Sequence, residues 1–191
     1  MELVLATRNP HKLREFEKLL APYVVLPLPD DVELPPETGT TFAENAATKA
    51  RTAADATGRI AVADDSGIAA AALGGRPGVY SARYAGENAS DEENLARLLR
   101  EVPRDGDRGV AYVCALAYAA PDGTEHLVEG RCEGTLTHDP RGDGGFGYDP
   151  AFVPADRDDG RTMAELTQEE KDAISHRGRA ARLLATWLDS R

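Results

Sequence analysis

Residues 2–12 read ELVLATRNPHK, and this stretch decides how the chain begins to fold. The apolar run 2–6 predicts a buried strand, and Asn9 followed by Pro10 is typical of a helix cap and the first helical residue. Apolar residues at helical spacing then continue to Leu20. The chain therefore opens with a strand, a short loop and a helix, which is the beginning of an α/β fold.

The remainder of the chain continues this alternation. We predict further strands at residues 23–28, 60–63, 109–119 and 124–137, and further helices that begin after Thr41, Ser90 and Thr167 and near the C-terminus. The last two strands are joined by Pro121-Asp122-Gly123, a turn signal that indicates a hairpin. Because a hairpin is antiparallel, the sheet is expected to be mixed.

Composition and charge narrow the class of protein. The chain has 191 residues, of which 41% are hydrophobic, and this length suits one domain or two closely packed lobes. Its formal net charge of -11 disfavours binding to a nucleic-acid backbone. No apolar run is long enough for a membrane span, and the N-terminus lacks the plan of a signal peptide, so we expect a cytoplasmic protein that binds neither nucleic acid nor membrane.

The loop from Thr7 to Lys12 leaves a strand and enters a helix, so backbone N–H groups and the positive end of the helix dipole point outward. The hydroxyl of Thr7, the amide of Asn9 and the cation of Lys12 can supplement them. The loop therefore favours an anion site, although it is neither a Walker loop nor a dinucleotide fingerprint. The alternative is that Asn9 is an ordinary cap and Lys12 a solvated surface residue.

Two adjacent carboxylates, Asp64 and Asp65, follow the apolar strand predicted at 60–63. Adjacent residues on an extended chain point in opposite directions, so one carboxylate can bind a cation while its neighbour holds the local structure. The alternative is a simple Asp-Ser-Gly turn. Glu37 or Glu44 is a candidate for a second metal ligand, but Glu44 is also explained as a helix-capping residue.

Residues 142–150 read GDGGFGYDP, in which dense glycine removes side chains while two aromatic residues remain. This pattern favours close approach to a flat ligand. Phe146 or Tyr148 could stack on a base, and the backbone at Gly147 and the carboxylate of Asp149 could read or order the site. A simple flexible loop is the alternative.

Lys171 and the run Ser175-His176-Arg177 stand at a predicted junction of two helices, with Lys171 and Ser175 one turn apart. The cations and helix-start N–H groups suit a phosphate or a base carbonyl. A structural histidine and a surface ion pair of Arg177 explain the same residues equally well.

Taken together and in this order, these segments resemble the inosine triphosphate pyrophosphatase family. Thr7, Asn9 and Lys12 look like its opening phosphate loop, and TFAENA at 41–46 with Lys49 is similar to its second motif. The more specific matches are ADDSG at 63–67, PGVYSARY at 77–84, GGFGYDP at 144–150 and SHR at 175–177. The resemblance spans nearly the whole chain.

The resemblance implies an α/β fold with a mixed, elongated central sheet flanked by helices, and two lobes with a cleft between them. It implies one catalytic domain over residues 1–191, usually in a homodimer. The implied reaction is the magnesium-dependent hydrolysis of non-standard purine nucleoside triphosphates, such as ITP, dITP, XTP and dXTP, to the monophosphate and pyrophosphate. This reaction removes them from the nucleotide pool before they enter DNA or RNA.

The resemblance also assigns roles to individual positions. Asp65 matches the general base and a metal contact, and Glu37 matches a second metal contact, with Glu44 as the lesser alternative. The positions that match substrate contacts are Thr7, Arg8, Asn9, Pro10, His11, Lys12, Ser66, Phe146, Gly147, Tyr148, Asp149, Lys171, His176 and Arg177.

Two other functions fit parts of the pattern. A related pyrophosphatase that prefers pyrimidine or modified nucleotides would share the phosphate and metal residues and differ in the base pocket. A non-catalytic nucleotide sensor would need no water-activating carboxylate, and Asp65 argues against it.

Overall fold

The computed structural model describes all 191 residues. The strands are β1 (Glu2–Leu5), β2 (Val24–Pro27), β3 (Ala61–Ala70), β4 (Gly109–Ala119), β5 (Glu125–Leu136) and β6 (Phe152–Pro154). The α-helices are α1 (Pro10–Leu19), α2 (Phe42–Thr57), α3 (Asp91–Glu101), α4 (Gln168–Ile174) and α5 (His176–Asp189). None of these helices combines the length and the hydropathy needed to cross a bilayer.

The six strands form one sheet in the order β2-β1-β3-β4-β5-β6. β1 pairs in parallel with both β2 and β3, whereas β6 is antiparallel to β5. The predicted mixed α/β sheet is therefore confirmed. β6 was not predicted, because three residues are too few to show an alternating pattern.

The prediction for β3 was wrong in length. The sequence indicated a strand that ends at Ala63, but the strand continues to Ala70, so Asp64 and Asp65 lie inside it and not after it. Both aspartates are buried, with 1% and 5% of their surface exposed. Their charges interrupt the apolar pattern on which the prediction rested, and the partners that make their burial tolerable come from distant parts of the chain.

The chain divides into two compact units, and each has its own core. Unit 1 comprises residues 1–65, 114–130 and 177–191, and unit 2 comprises residues 66–113 and 131–176. In unit 1, alternate residues of β1 enter two different apolar clusters: Leu3 and Leu5 pack with Phe16 of α1, whereas Val4 packs with the alanines of α2. Unit 2 is built around a third cluster that contains Tyr112 and Phe152.

Side-chain caps fix the helix starts close to where the sequence predicts them. Thr41 and Glu44 form a capping box at the start of α2, and Gly58 ends that helix with a φ of 62°. Asn9 caps α1, and Pro10 is its first residue. These caps hold the segments that carry Lys12 and Lys49 in defined positions.

Candidate functional site

The loop before α1 is closed by its own side chains. Asn9 Oδ1 accepts hydrogen bonds from the backbone N–H groups of His11, at 2.8 Å, and Lys12, at 3.4 Å. The backbone N–H of Asn9 donates to Thr7 Oγ1 at 3.2 Å. The capping role that the sequence left open for Asn9 is therefore present, and two of the outward-facing N–H groups already have a partner.

Arg8 and His11 have protein partners at the same loop. The guanidinium of Arg8 donates to the carbonyl oxygens of Leu28, at 2.9 Å, and Val32, at 2.6 Å. The Arg8 side chain therefore connects this loop to the segment after β2. The backbone of Arg8 is the part that is a candidate for contact with substrate. His11 is exposed, with its Nδ1 3.0 Å from Arg14 Nη2.

Lys12 is not a solvated surface residue, because its Nζ lies 2.9 Å from Asp64 Oδ2. Arg177 Nε lies 3.5 Å from the same oxygen, and Lys49 Nζ donates to the backbone carbonyl of Asp64 at 2.7 Å. Burial alone would raise the pKa of the Asp64 carboxyl, but the cations of Lys12, Arg177 and Lys49 outweigh it and hold that pKa well below its usual range. Asp64 is therefore an ionised anchor that gathers three cations.

Asp65 has different neighbours. Its Oδ2 accepts a hydrogen bond of 2.8 Å from Asn45 Nδ2. Burial and the like charge of Glu37 raise the pKa of Asp65, and the Asn45 hydrogen bond and nearby lysines only partly offset this rise. The two aspartates thus contact different groups, as expected for adjacent residues of a strand, and Asp65 is the carboxylate with the higher proton affinity.

Glu37 is a better candidate for the second metal ligand than Glu44. Glu44 Oε2 accepts from the backbone N–H groups of Thr40, at 2.7 Å, and Thr41, at 3.2 Å, and these bonds lower the pKa of Glu44. Glu44 is thus used as a cap, as the alternative reading held. Glu37 instead forms an ion pair with Lys49 and is close enough to Asp65 to raise the pKa of that residue.

The surroundings of Glu37 fit a hard cation of small size. A hollow of about 30 Å³ beside Glu37 is also lined by Asn45 and Lys49 and has room for one ion or water, and Asp65 is not among the residues that line it. The structure contains no group of three or more metal-ligating side chains. Magnesium needs only one or two carboxylates, with water and phosphate oxygens in its other positions, so the pair Glu37 and Asp65 is a sufficient donor set.

In unit 2, the aromatic residues of the glycine-rich loop have separate roles. Tyr148 is buried in the apolar core, and its hydroxyl donates to the backbone carbonyl of Ser81 at 2.7 Å. Phe146 is only half-buried, and its ring centroid lies 5.2 Å from Lys171 Nζ. Of the two rings that the sequence proposed for stacking, the geometry therefore favours Phe146.

Asp149 organises the same loop. Its Oδ2 accepts from Lys171 Nζ at 2.8 Å and from the backbone N–H of Phe146 at 3.1 Å, and its Oδ1 accepts from the hydroxyl of Tyr112 at 3.0 Å. Gly145 makes room for this carboxylate, because a Cβ atom there would lie 2.0 Å from Asp149 Oδ2. The loop is thus ordered by hydrogen bonds, and the flexible-loop alternative does not describe it.

The remaining predicted residues of unit 2 lie on separate elements. Ser66 is half-buried in β3, and the backbone N–H of Gly147 donates to Asp91 Oδ2 at 2.8 Å. His176 is buried at the start of α5, and its ring stacks on that of Tyr112 with centroids 4.7 Å apart. Ser175 ends α4, so the helix junction that the sequence predicted is present.

Each unit therefore brings a subset of the predicted residues together. Unit 1 gathers cations and carboxylates that suit a polyphosphate and a metal ion: Lys12, Glu37, Asp65 and Arg177. Unit 2 gathers an aromatic ring, a cation and hydrogen-bonding groups that suit a nucleoside base: Phe146, Asp149, Lys171 and His176.

Two residues of these clusters were not predicted. Glu15 pairs with Arg177 at 3.2 Å, and Tyr112 contacts both Asp149 and His176. In sequence, Glu15 resembles any surface acid of an amphipathic helix, and Tyr112 any aromatic residue of a buried strand. Asn45 and Lys49 stood beside the predicted metal residues, and Lys49 is one of only four lysines in the chain, which was a signal for it.

Comparison with known proteins shows the family to which the chain belongs. The model of the Ham1 family matches residues 3–187. The dITP/XTP pyrophosphatase of Yersinia pestis is 53% identical, covering 98% of this chain and 98% of that protein, and the enzyme of the same name from Streptomyces coelicolor is 50% identical, covering 95% and 94%.

Solved structures extend the likeness to the fold. A HAM1 protein from Coxiella burnetii superposes with a TM-score of 0.90 at 43% identity, covering 100% of both chains. A nucleoside-triphosphatase, described as a dITP/XTP pyrophosphatase, from Mycobacterium abscessus gives a TM-score of 0.78 at 47% identity, covering 96% of this chain and 98% of that one. Since the family model and these relatives cover almost every residue, the chain belongs to the Ham1 family.

Proposed function

We propose that this protein is a dITP/XTP pyrophosphatase. It hydrolyses non-standard purine nucleoside triphosphates to the monophosphate and pyrophosphate, and so removes them before they enter DNA or RNA. Relatives of that name share about half of its sequence over nearly the full length. The observation that carries the proposal is the pair Glu37 and Asp65 in a neighbourhood of cations, with a buried Asp65 whose pKa is raised.

Glu37 and Asp65 hold a magnesium ion in this proposal. When bound, the ion neutralises phosphate charge and polarises phosphoryl oxygens. The donor set supports it, since two neighbouring carboxylates are a costly arrangement that a cation relieves. In the protein without metal, burial and then the like charge of Glu37 raise the pKa of Asp65.

Asp65 is the general base. Its carboxylate is buried and accepts a hydrogen bond from the neutral amide of Asn45, whereas the cations of Lys12 and Arg177 lie against Asp64. The water oxygen forms a bond to the α-phosphorus as its proton passes to Asp65, and the bond from that phosphorus to the bridging oxygen breaks. The electron pair leaves with pyrophosphate.

The cations of unit 1 bind the triphosphate. Lys12 and Arg177 both lie against Asp64, so their charges are held in place before substrate arrives. Preorganised cations stabilise charge that develops in a transition state without reorganising, and the loss of one such contact costs about 3 kcal/mol of activation energy. The loop from Thr7 to Lys12 contributes Thr7, Arg8, Asn9, Pro10 and His11 as further substrate contacts.

The groups of unit 2 bind the base and its surroundings. Phe146 stacks on the purine, and Lys171 and His176 provide polar contacts, with Ser66, Gly147, Tyr148 and Asp149 around them. A donor that bonds the 6-keto oxygen of inosine or xanthosine would face the amino group of adenine without a partner, which disfavours ATP.

The proposal also covers the oligomeric state and the location of the enzyme. We propose a homodimer, on the strength of the family resemblance, and a cytoplasmic location, as the sequence analysis expects. Size-exclusion chromatography with light scattering tests the dimer: a particle of twice the 20.4 kDa chain mass supports it, and a monomer at all concentrations contradicts it.

A substrate panel tests the function. The wild-type protein with magnesium is given ITP, dITP, XTP, GTP, ATP and pyrimidine triphosphates, and pyrophosphate and orthophosphate are measured separately. We expect pyrophosphate from the inosine and xanthosine nucleotides, with little turnover of ATP. Orthophosphate as first product would exclude the proposed bond cleavage, preference for pyrimidines would favour the rival enzyme, and binding without turnover would favour a sensor.

A further inference from the structure

Tyr112 of β4 has no part in the proposed function, yet it touches two of the residues assigned to the base. Its side chain is buried, with 6% of the residue exposed. The ring stacks on Phe152, with centroids 4.4 Å apart and planes at 22°, and on His176, at 4.7 Å and 12°. Its hydroxyl donates to Asp149 Oδ1 at 3.0 Å.

The hydroxyl of Tyr112 controls how the Asp149 carboxylate is turned. The other oxygen of that carboxylate accepts from Lys171 Nζ and from the backbone N–H of Phe146. A buried carboxylate that is held at both oxygens cannot rotate without leaving a donor unsatisfied. The Tyr112 hydrogen bond therefore fixes the orientation to which Lys171 and the Phe146 loop are matched.

The ring of Tyr112 acts on His176 in a different way. Two nearly parallel rings at this distance pack face to face, so the phenol ring restricts the orientation of the imidazole plane. Phe152 in turn supports the phenol ring. One side chain thus sets the geometry of a carboxylate and of an imidazole.

We propose that Tyr112 is a positioning residue for base recognition: its hydroxyl orients Asp149, and with it Lys171 and Phe146, while its ring orients His176. The inference rests on the proposed function and adds a residue to it. Because all of these contacts belong to unit 2, the effect falls on nucleotide affinity and base selectivity. The phosphate residues of unit 1 keep their own partners.

The test compares Tyr112→Phe with Tyr84→Phe. Both changes remove one buried phenolic hydroxyl of unit 2 that donates to a carboxylate, since Tyr84 donates to Glu101 Oε2 at 2.5 Å and is 7% exposed. For each variant, kcat and KM for ITP, the ratio of kcat/KM for ITP and ATP, inhibition by pyrophosphate, and the melting temperature are measured. Because pyrophosphate has no base, its inhibition reports binding at the phosphate-binding residues alone.

We expect Tyr112→Phe to raise KM for ITP roughly tenfold, the loss of one hydrogen bond to a charged group, and to lower the ITP to ATP ratio. The value of kcat and the inhibition by pyrophosphate should change by less than about threefold. Tyr84→Phe should lower the melting temperature and leave KM and selectivity as they are. Tyr112→Leu, which also removes the ring, should raise KM further than Tyr112→Phe does.

Unchanged KM and selectivity in Tyr112→Phe would overturn the inference, as would the same change in Tyr84→Phe. Binding of inosine monophosphate, measured by calorimetry, separates this failure from failure of the proposed function. A wild-type protein that binds the monophosphate without hydrolysing ITP refutes only the function, and weaker binding by Tyr112→Phe would then still support the positioning role. A wild-type protein that does neither refutes both.

Discussion

Asp64 and Asp65 are chemically identical neighbours that the protein uses in different ways. Asp64 meets the cations of Lys12 and Arg177, which lower its pKa, whereas Asp65 accepts a hydrogen bond from the neutral amide of Asn45, and burial and the charge of Glu37 raise its pKa. The difference follows from the strand, in which adjacent side chains point to opposite faces and so reach different helices. Substitution of Asp65 should therefore lower turnover with stability unchanged, whereas substitution of Asp64 should lower stability.

At Asp65, the change to Asn keeps the size and the possible bond with Asn45 but removes the proton acceptor. We expect kcat for ITP to fall at least roughly 100-fold, the usual worth of a general base, while binding of inosine monophosphate and the circular dichroism spectrum stay as in the wild type. Steady-state kinetics and calorimetry measure both. A variant with full kcat would reject Asp65 as the base.

At Asp64, the change to Asn leaves the cations of Lys12 and Arg177 facing a neutral group in a buried place. Breaking a buried ion network in this way costs about 3 kcal/mol of unfolding free energy. Urea unfolding of Asp64→Asn measures the loss, and Asp158→Asn, which changes an exposed aspartate, is the control. Equal stability of the two variants would show that the cations do not depend on Asp64.

Among the elements, the glycine-rich loop 142–150 approaches Ala164 closely at Gly142 and Gly144, and approaches the Asp149 carboxylate at Gly145. Gly145 has a φ of 71°, and a Cβ there would overlap the Asp149 carboxylate. We expect Gly145→Ala to lower the unfolding free energy by about 1 to 3 kcal/mol and to raise KM for ITP, since the carboxylate must move away from Lys171. Thermal unfolding and kinetics test this.

Gly74→Ala provides the matched comparison. Gly74 has a similar φ of 62°, but no atom lies within 4 Å of the added Cβ. Gly74→Ala therefore introduces the strain of a positive φ without any steric overlap. If both variants raise KM equally, the contact with Asp149 does not matter for the site.

The helix α4 is anchored by the charged segment before it, to which the sequence assigned no role. Arg157 and Arg161 each pair with both Asp159 and Glu170, and Glu170 also caps the helix through Thr167. These bonds, led by that of Arg161, lower the pKa of Glu170 from 4.5 to about 2. The next residue in the chain is Lys171, so the network steadies the helix that carries it.

This network predicts a pH dependence. Because the folded pKa of Glu170 is lowered, its contribution to stability is complete above pH 4.5 and is lost as the pH falls toward 2. Glu170→Gln should therefore be less stable than the wild type near neutral pH, and the difference should shrink through that acidic range. Urea unfolding at a series of pH values measures it, with the exposed Glu169→Gln as control. A difference that is constant with pH would contradict the assignment.

Elements whose ends are decided locally could be predicted, and those decided by distant partners could not. Asn9 and Thr41 cap their helices through the next few residues, so the starts of α1 and α2 followed from short patterns. The length of β3 did not, because Asp64 is tolerated in it through Arg177, which lies 113 residues away. Tyr112 was missed for the same reason, since its partner Asp149 is 37 residues further on.

For the whole molecule, the net charge of -11 opposes the approach of a triphosphate. We expect removal of magnesium with EDTA to abolish hydrolysis of ITP and to leave the circular dichroism spectrum unchanged, and added magnesium to restore activity. Pyrophosphate release measures it. Full activity in EDTA would contradict a metal-dependent reaction.

Substitution of Glu37 and of Glu44 tests, in the same assay, which of the two glutamates binds magnesium. Glu37→Gln should raise the magnesium concentration needed for half-maximal activity roughly 10-fold or more. Glu44→Gln should lower the melting temperature with the magnesium requirement unchanged, because Glu44 serves as a cap. The opposite result would exchange the roles of the two residues.

The Asn9 carboxamide oxygen occupies the amides of His11 and Lys12 before any nucleotide arrives. An incoming phosphate oxygen that takes those amides therefore exchanges one acceptor for another and does not meet bare donors. Such an exchange favours a full negative charge over a neutral oxygen, since charge-assisted hydrogen bonds are about twice as strong as neutral ones. At the start of the first helix, an anion is thus a stronger competitor for these two amides than a neutral solute is.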